Sequence, residues 1–225
     1  MQDLIKQEQF ELEILDRLNS QKTLRNLVFV GGTMLRLCFG LNRFSSDLDF
    51  WIGKGIDEKK LYQQLKEYLS QFYTLKDSAN KFYTILFEVK SRGYPRSLKI
   101  EIRKKDGKLT TESAIAYSKY SNLQVLVKAM SLKEMMRRKI ESFIDRKEIR
   151  DVFDIEFLLK KGIDLNAPKA TLGKILETID SLTAKDYKVK LSSILEKEER
   201  KYYTTENFKI LKLAISEKLL AIKDK

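Results

Sequence analysis

The sequence predicts an α+β protein in which a mixed α/β half of about 105 residues precedes a helical half. Three observations indicate this fold class. Short apolar runs of strand length alternate with helical stretches in the first half. From about Thr111 the pattern becomes almost wholly helical. Hydrophobic residues make up 43% of the chain and charged residues 34%, which is typical of a globular protein with a sizeable core. We therefore expect an α/β domain over residues 1–108 and a helical domain over residues 109–225.

The first elements follow from the spacing of apolar residues. Residues 3–20 predict a helix, and the run LVFV at 27–30 predicts a short buried strand that ends at two glycines. Thr33 is expected to cap a helix that ends near Gly40. Residues 46–52 predict a second strand, so that a strand, a helix and a strand follow one another.

The later elements complete this order. Asp57 is expected to begin a helix with four apolar residues on one face, Leu61, Leu65, Leu69 and Phe72. Residues 81–90 and 97–105 predict two more strands, separated by the turn residues 92–95. The helical half has its main breaks at Gly162 and at residues 166–168.

Composition and charge exclude several classes of function. The chain has no histidine, which excludes Ser-His-Asp and Cys-His catalysis and the commonest zinc sites. Its single cysteine, Cys38, cannot form an internal disulfide, and no apolar run is long enough to span a membrane, so we expect a cytoplasmic protein. The formal net charge of +12 favours a polyanionic partner such as nucleic acid or a nucleotide, although a lysine-rich composition alone would also produce it.

Two aspartates in the second predicted strand require an explanation. Side chains alternate along a strand, so Asp47 and Asp49 lie on one face while Leu48 and Phe50 lie on the other. Two neighbouring carboxylates resist burial unless a cation lies between them, and an oxygen-seeking ion such as Mg²⁺ fits. Alternatively, both aspartates lie at a strand end that is exposed to solvent and bind no metal. Glu101 occupies a comparable alternating position between Ile100 and Ile102 and could supply a third carboxylate.

The two glycines indicate an anion site. Gly31 and Gly32 lie between a buried strand and a helix N-terminus, where backbone N–H groups and the helix dipole favour a phosphate. The hydroxyl of Thr33 could donate one more hydrogen bond. A lone Gly-Gly turn is usually structural, but thirteen residues separate this turn from the Asp-Leu-Asp strand, which is enough for one helix and a return. The pattern therefore predicts a phosphate cradle beside a metal-binding strand.

These motifs together resemble those of the nucleotidyltransferase superfamily with the polymerase β-type fold. Gly-Gly-Thr, a spacer, Asp-Leu-Asp and a later Ile-Glu-Ile match its shared pattern. More narrowly, GGTMLRLCFGLNRFSSDLDF resembles the AbiEii/AbiGii toxin family of bacterial abortive-infection and toxin–antitoxin systems. Arg43 and Ser45 match the Arg-x-Ser that precedes Asp-x-Asp in that family. Thr33 and Glu101 stand where serine and aspartate are also common, and the region after about residue 165 matches no motif.

The resemblance extends into the helical half. Its pattern of a helical lysine followed by Arg-Asp-x-x-Asp is matched by five residues, Lys139, Arg146, Arg150, Asp151 and Asp154. Lys139 and Arg146 are seven residues apart and project from nearly the same side of a continuous helix, where a triphosphate could neutralise both. Asp151 and Asp154 could meet a metal, but a role in bracing arginines such as Arg146 or Arg150 is favoured.

The resemblance implies a metal-dependent enzyme that transfers a nucleotide from a nucleoside triphosphate (NTP) to an acceptor hydroxyl. Asp47, Asp49 and Glu101 would bind two Mg²⁺ ions, with Mn²⁺ as an alternative, and Glu101 would activate the acceptor. The glycines, Thr33 and Lys139 would bind phosphates, with Arg43, Ser45 and Arg146 at the same site. The acceptor would be RNA such as tRNA, or a protein hydroxyl, and a cognate antitoxin would be a partner.

Other functions stay open at this point. A small-molecule nucleotidyltransferase of the antibiotic-modifying kind would share the same site, although the basic charge weighs modestly against it. A nucleotide-binding module without catalysis would not need all three acids. A plain nucleic-acid-binding protein would explain the charge but not Asp47 and Asp49. The sequence predicts neither the base nor the oligomeric state.

Overall fold

A computed structural model describes residues 1–104 and 109–221. The chain forms two compact units, Met1–Ser131 (unit 1) and Leu132–Lys225 (unit 2). The boundary predicted between residues 108 and 109 falls next to residues 105–108, which lie outside the described residues. The observed division lies further along the chain, because residues 111–130 belong to the sheet of unit 1.

Unit 1 contains three α-helices among its described residues: α1 (Gln2–Ser20), α2 (Gly31–Phe39) and α3 (Glu58–Ser70). A short 3₁₀ turn at Thr23–Asn26 leads from α1 into the sheet. Asp57 caps α3 as predicted, because its side chain accepts hydrogen bonds from the backbone N–H groups of Lys59 and Lys60. Phe72 lies beyond the end of α3 and is 44% exposed, so it does not extend the buried face.

Seven strands of the described residues form one mixed sheet in the order β3-β4-β5-β2-β1-β7-β6. Their bounds are β1 Leu27–Val30, β2 Asp47–Ile52, β3 Thr74–Asn80, β4 Thr84–Lys90, β5 Leu98–Arg103, β6 Thr111–Tyr117 and β7 Gln124–Met130. The pairs β1–β7 and β2–β5 are parallel, and the other neighbouring pairs are antiparallel. The predicted α+β fold class is confirmed, because unit 1 is a mixed sheet with flanking helices.

The two faces of the sheet differ in burial. Leu48, Phe50, Ile100 and Ile102 are at most 1% exposed and form one face with the buried residues of β4. Tyr62 of α3 stacks on Phe87 in this core, with ring centroids 5.4 Å apart. The opposite face of β2 and β5 carries the polar residues, as the alternation of strand side chains requires.

Three strands differ from the sequence-based assignment. The prediction that the chain is helical from Thr111 is wrong for residues 111–130, which form the hairpin β6–β7. The burial of β7 alternates, with Val125 and Val127 inside and Leu126 exposed. The polar segment TLKDSAN forms β3, which no apolar pattern indicated and which β4 pairs along its length. Both β3 and β6 are edge strands, whose sequences carry little burial signal.

Unit 2 is helical in its described residues, as predicted. Its α-helices are α4 (Leu132–Arg146), α5 (Ile149–Lys160), α6 (Lys169–Asp180), α7 (Lys197–Glu206) and α8 (Lys209–Ala221), with a π-helical turn at Asp186–Leu191 and a 3₁₀ turn at Ser192–Ile194. The break predicted at Gly162 and at residues 166–168 separates α5 from α6. None of the described helices is long and apolar enough to cross a membrane.

Candidate active site

The three acids predicted from the sequence lie on adjacent parallel strands of unit 1. Asp47 and Asp49 are half-buried on β2, and Glu101 is half-buried on β5. In the parallel register Asp49 is paired with Glu101, and Asp47 with Lys99. Directly opposite residues share a face of the sheet. The strand register therefore places the three carboxylates on one face, with Asp47 at the start of β2 and the Asp49–Glu101 pair near the middle of the two strands.

Gly31 places the start of α2 against Asp49. A Cβ on Gly31 would lie 2.5 Å from Asp49 Oδ2, so the backbone approaches the carboxylate more closely than a side chain would allow. Gly31 also has φ +85°, in the left-handed region that L side chains rarely adopt. Both the contact and the dihedral angle require glycine at this position. The strand acid and the helix N-terminus thus meet at one point.

Gly32 makes a similar approach to two other predicted residues. A Cβ there would lie 2.6 Å from Arg43 Nη2 and 2.9 Å from Ser45 Oγ. Arg43 is 3% exposed, and its Nη1 donates a hydrogen bond to the carbonyl of Phe44 at 3.0 Å. The guanidinium is therefore a buried positive charge fixed beside the helix N-terminus, where N–H groups without an intrahelical partner point outward. The structure brings Gly31, Gly32, Arg43, Ser45 and Asp49 together.

Thr33 plays a different part from the one predicted. It lies in the first turn of α2 rather than at its N-cap, which is Val30. The Thr33 side chain is fully buried, and its hydroxyl donates a hydrogen bond of 2.6 Å to the backbone carbonyl of Asp47. This bond ties α2 to the beginning of β2. Through this bond, Thr33 fixes the backbone that carries the first aspartate, and its predicted contact with a phosphate stays a prediction.

Helix α1 contributes buried polar residues that the sequence reasoning missed. The Gln7 side chain is 1% exposed and donates hydrogen bonds to the carbonyls of Ser46 and Ser97, at 3.2 and 3.4 Å. These two residues immediately precede β2 and β5. Gln7 therefore links the starts of the two acid-bearing strands. The sequence offered one signal for this role: Gln7 lies on the apolar face of an amphipathic helix, and a polar group buried there is rarely without a partner.

A buried ion pair holds α2 and the segment that follows it. Glu8 accepts a short hydrogen bond from Arg36 Nε and another from the hydroxyl of Ser118. Arg36 also donates to the carbonyl of Leu41 at 3.2 Å and lies 3.9 Å from the ring centroid of Phe44. The guanidinium thus links α1, α2 and residues 41–44. This segment leads directly to Arg43 and Ser45 at the site.

Glu11, one turn after Gln7, is fully buried, and neither of its carboxyl oxygens has a hydrogen-bond partner among the described residues. Burial raises the pKa of this carboxyl well above its ordinary value, and the charges of Glu8 and Asp47 raise it further, whereas Arg36 lowers it. A protonated Glu11 avoids the cost of burying an unpaired charge.

The donor set fits a metal ion that enters with its substrate. In the part of the chain that the structure describes, no three Asp, Glu, Cys or His side chains form a cluster able to hold a metal. Mg²⁺ is commonly bound by one or two carboxylates together with substrate phosphates. Asp47 and Asp49 on one face, beside a helix N-terminus that glycine opens to phosphate, match that arrangement. The role of Glu101 as a further ligand stays a prediction.

Unit 2 contains an ion cluster made of four predicted residues, three of them buried and the fourth, Arg146, exposed. Lys139 Nζ lies 3.1 Å from Asp151 Oδ1 and 2.7 Å from Asp154 Oδ2, and both aspartates are fully buried. Arg146 Nη2 lies 3.0 and 2.8 Å from the two carboxylate oxygens of Asp151. The cluster joins α4 to α5 and has two positive and two negative charges.

This cluster differs in part from the sequence-based interpretation. Lys139 and Arg146 converge as predicted, but the anion between them is Asp151 of the same unit, so a phosphate would have to compete with that carboxylate. The bracing role predicted for the aspartates applies to Arg146 and also to Lys139. Arg150 is exposed, and no hydrogen bond or ion pair joins it to another described residue.

Comparisons with known proteins show the fold and the family of this chain. Two crystal structures of Helicobacter pylori proteins share the fold. A candidate nucleotidyltransferase matches with a TM-score of 0.60 and 22% identity, over 95% of this chain and 97% of that chain. JHP933 matches with a TM-score of 0.54 and 22% identity, over 93% of this chain and 97% of that chain. No curated protein sequence matches the chain significantly. The profile of the nucleotidyl transferase AbiEii toxin family, type IV toxin–antitoxin system, matches residues 13–218. Because this match spans most of the 225 residues, the chain belongs to the AbiEii family of nucleotidyl transferase toxins.

Proposed function

We propose that this protein is a metal-dependent nucleotidyltransferase that transfers a nucleotide from an NTP to a hydroxyl group of RNA, with tRNA as the favoured acceptor. The observation that carries the proposal is the contact between Asp49 and Gly31. It brings a strand of acidic residues against a helix N-terminus, which is the pairing that a metal-bound triphosphate requires. Family membership supports the same class of reaction.

Asp47 and Asp49 would hold the metal, which in the proposed enzyme is Mg²⁺. When bound, the metal supplies positive charge that stabilises the charge developing on the phosphates and the leaving group. The backbone N–H groups at the start of α2 would bind phosphate oxygens, aided by the helix dipole. Arg43 would add a fixed positive charge, and Ser45 a hydroxyl, beside Gly32.

The reaction is an exchange of bonds at phosphorus. The acceptor oxygen forms a bond to the α-phosphorus, the bond from this phosphorus to the bridging oxygen breaks, and pyrophosphate leaves. The proton of the acceptor hydroxyl must go to a base, and Glu101, beside Asp49 in the strand register, is the proposed group. No side chain forms a covalent intermediate in this scheme.

The charge of the chain supports RNA as the acceptor. The formal net charge of +12 would attract a polyanion and raise its encounter rate. A small neutral acceptor would gain little from that charge. Lys99 and Arg103 also alternate with Glu101 along β5 on the acidic face, and both are exposed. This favours an anionic acceptor over a small-molecule substrate.

A label-transfer assay tests the proposal. Purified protein is incubated with Mg²⁺, each of the four α-labelled NTPs in turn, and total tRNA. We expect label on RNA with wild-type protein and one preferred nucleotide, and none with the double variant Asp47→Ala/Asp49→Ala. Asp77→Ala, which removes an exposed aspartate of edge strand β3, is the matched control and should behave like wild type.

Three other outcomes would change the proposal. Label on the protein itself would move the acceptor to a hydroxyl side chain. Equal transfer by wild type and the double variant would contradict the assigned metal site. Metal-dependent nucleotide binding without transfer to any acceptor would favour a regulatory binding module.

The family also implies a partner. We propose that a cognate antitoxin counteracts the activity, as expected for a type IV toxin–antitoxin system. Expression of the wild-type chain should slow bacterial growth, and Asp47→Ala/Asp49→Ala should not. Restoration of growth by a gene adjacent to the toxin gene would identify the antitoxin, and equal toxicity of the variant would contradict the link to catalysis.

A further inference from the structure

The turn between β3 and β4 exposes two aromatic side chains to solvent. Phe82 is 84% exposed and Tyr83 is 76% exposed, and their rings meet edge to face with centroids 4.6 Å apart. The turn itself is well defined, because Lys81 N–H donates to the carbonyl of Thr84 at 2.9 Å and Lys104 N–H donates to the carbonyl of Tyr83 at 3.0 Å. Because both side chains are exposed, they contribute little hydrophobic stabilisation to the fold.

The surroundings of this turn are basic. Lys81 and Arg103 are exposed, and neither forms an ion pair with another described residue. The charge of a third cation, Lys104, is offset by Glu58 at 3.1 Å. Cations of this kind beside exposed aromatic rings match the chemistry of single-stranded nucleic acid, which offers phosphates to the cations and base faces to the rings.

The register of the sheet connects this turn to the acidic face. Thr84, the residue after Tyr83, is paired with Arg103, and Leu86 is paired with Glu101. Tyr83 lies three residues before Leu86, and three residues of strand span about 10 Å, so the turn begins about 10 Å along the sheet from Glu101. Since even closely stacked nucleotides rise about 3.4 Å each, a few nucleotides of one RNA strand are enough to span this separation.

We propose that Phe82 and Tyr83 form a stacking platform for unpaired bases of the acceptor RNA, with Lys81 and Arg103 binding its backbone. This inference rests on the RNA acceptor of the proposed function and specifies how that RNA is held. The platform takes single-stranded RNA, since the base faces of a duplex are not accessible to the rings. It has little sequence preference, because every base has a face that can stack.

RNA binding without NTP tests the platform independently of catalysis. The probe is a fluorescein-labelled ten-nucleotide RNA of mixed sequence, and the readout is fluorescence anisotropy. We expect Phe82→Ala/Tyr83→Ala to weaken binding by about tenfold for each base that no longer stacks on a ring, with an unchanged melting temperature. Tyr117→Ala is the matched control, since Tyr117 is 57% exposed on β6, at the opposite edge of the sheet, and should bind like wild type.

Two further variants separate stacking from charge. Phe82→Trp/Tyr83→Trp should retain or improve binding because it keeps the aromatic faces. Lys81→Ala should reduce the salt dependence of binding without removing the stacking contribution. Double-stranded RNA should bind wild type and the double alanine variant equally.

The outcomes distinguish this inference from the proposed function. Loss of RNA binding in the alanine variant, together with no nucleotide transfer by wild type, would support the platform and contradict the enzyme. Unchanged RNA binding in the alanine variant would overturn the platform even if wild type transfers nucleotides. Normal RNA binding by the alanine variant but loss of binding to a protein partner would assign the turn to protein docking and also overturn the inference.

Discussion

Replacement of Gly31 by alanine tests the central contact of the candidate site. The new Cβ would lie 2.5 Å from Asp49 Oδ2, and the carboxylate oxygen would have to retreat by about 0.9 Å to reach ordinary contact at 3.4 Å. A displacement of about 1 Å in a reacting group can cost about 100-fold in rate. Gly31→Ala should therefore lower nucleotide transfer by about 100-fold.

The same substitution also strains the backbone, and that effect must be separated. Gly31 has φ +85°, where a non-glycine residue costs about 1–2 kcal/mol. Gly40 provides the matched control, because it has φ +77° and a Cβ there would meet nothing within 4 Å. Gly40→Ala should lose similar stability in urea unfolding but retain transfer activity.

The assay is label transfer at saturating NTP and RNA, with urea unfolding of both variants beside it. Transfer by Gly31→Ala within threefold of wild type would refute the reasoning that Asp49 must lie against the helix N-terminus. Equal loss of activity in both variants would show that stability, and not the position of the carboxylate, limits transfer.

Two further predictions concern buried charges. Lys139→Met removes the cation that lies between Asp151 and Asp154, and the loss of this partner should lower the free energy of unfolding in urea by about 3–5 kcal/mol. The control Lys133→Met, at a partly exposed position of the same helix, should lower it by less than about 0.5 kcal/mol. Equal losses in the two variants would contradict a stabilising role for the buried cation. Glu11→Gln should stabilise the protein above pH 5. Because the pKa of Glu11 is raised in the folded protein, this carboxyl contributes fully to stability only below the ordinary carboxyl pKa, and its contribution to stability is lost as pH rises. Glutamine carries no such titrating proton. We expect the melting temperature of the variant to exceed that of wild type by at least about 2 °C at pH 7, and this difference to shrink toward pH 4.5. A difference that does not change with pH would contradict the raised pKa of Glu11.

Much of the fold could be predicted from local patterns. The helix at residues 3–20, the apolar strand at 27–30, the capped helix after Asp57 and the break near Gly162 all have signals within a few residues of each other. These elements are confirmed because periodic burial and turn chemistry act locally. The candidate site was also indicated locally, since Gly-Gly-Thr and Asp-Leu-Asp lie within one strand–helix–strand segment and resemble a known family.

The rest depended on contacts between distant parts of the chain. Strands β3 and β6 gain their structure from pairing with a neighbour, and an edge strand needs little apolar pattern of its own. The buried partners of Lys139 are twelve and fifteen residues away on another helix, so its apparent freedom to bind phosphate was a property of the isolated helix.

The sequence by itself determined the chemistry of this protein: which acids are present, how they alternate on a strand, and where glycine permits close approach. Only the tertiary structure decided which groups meet. It directed the hydroxyl of Thr33 to the backbone of Asp47 and joined Gln7 of α1 to the residues that precede β2 and β5. It also paired Lys139 with two buried aspartates of unit 2. The physical reason is that a buried polar group is costly without a partner, and the packing of whole elements sets which partner it meets.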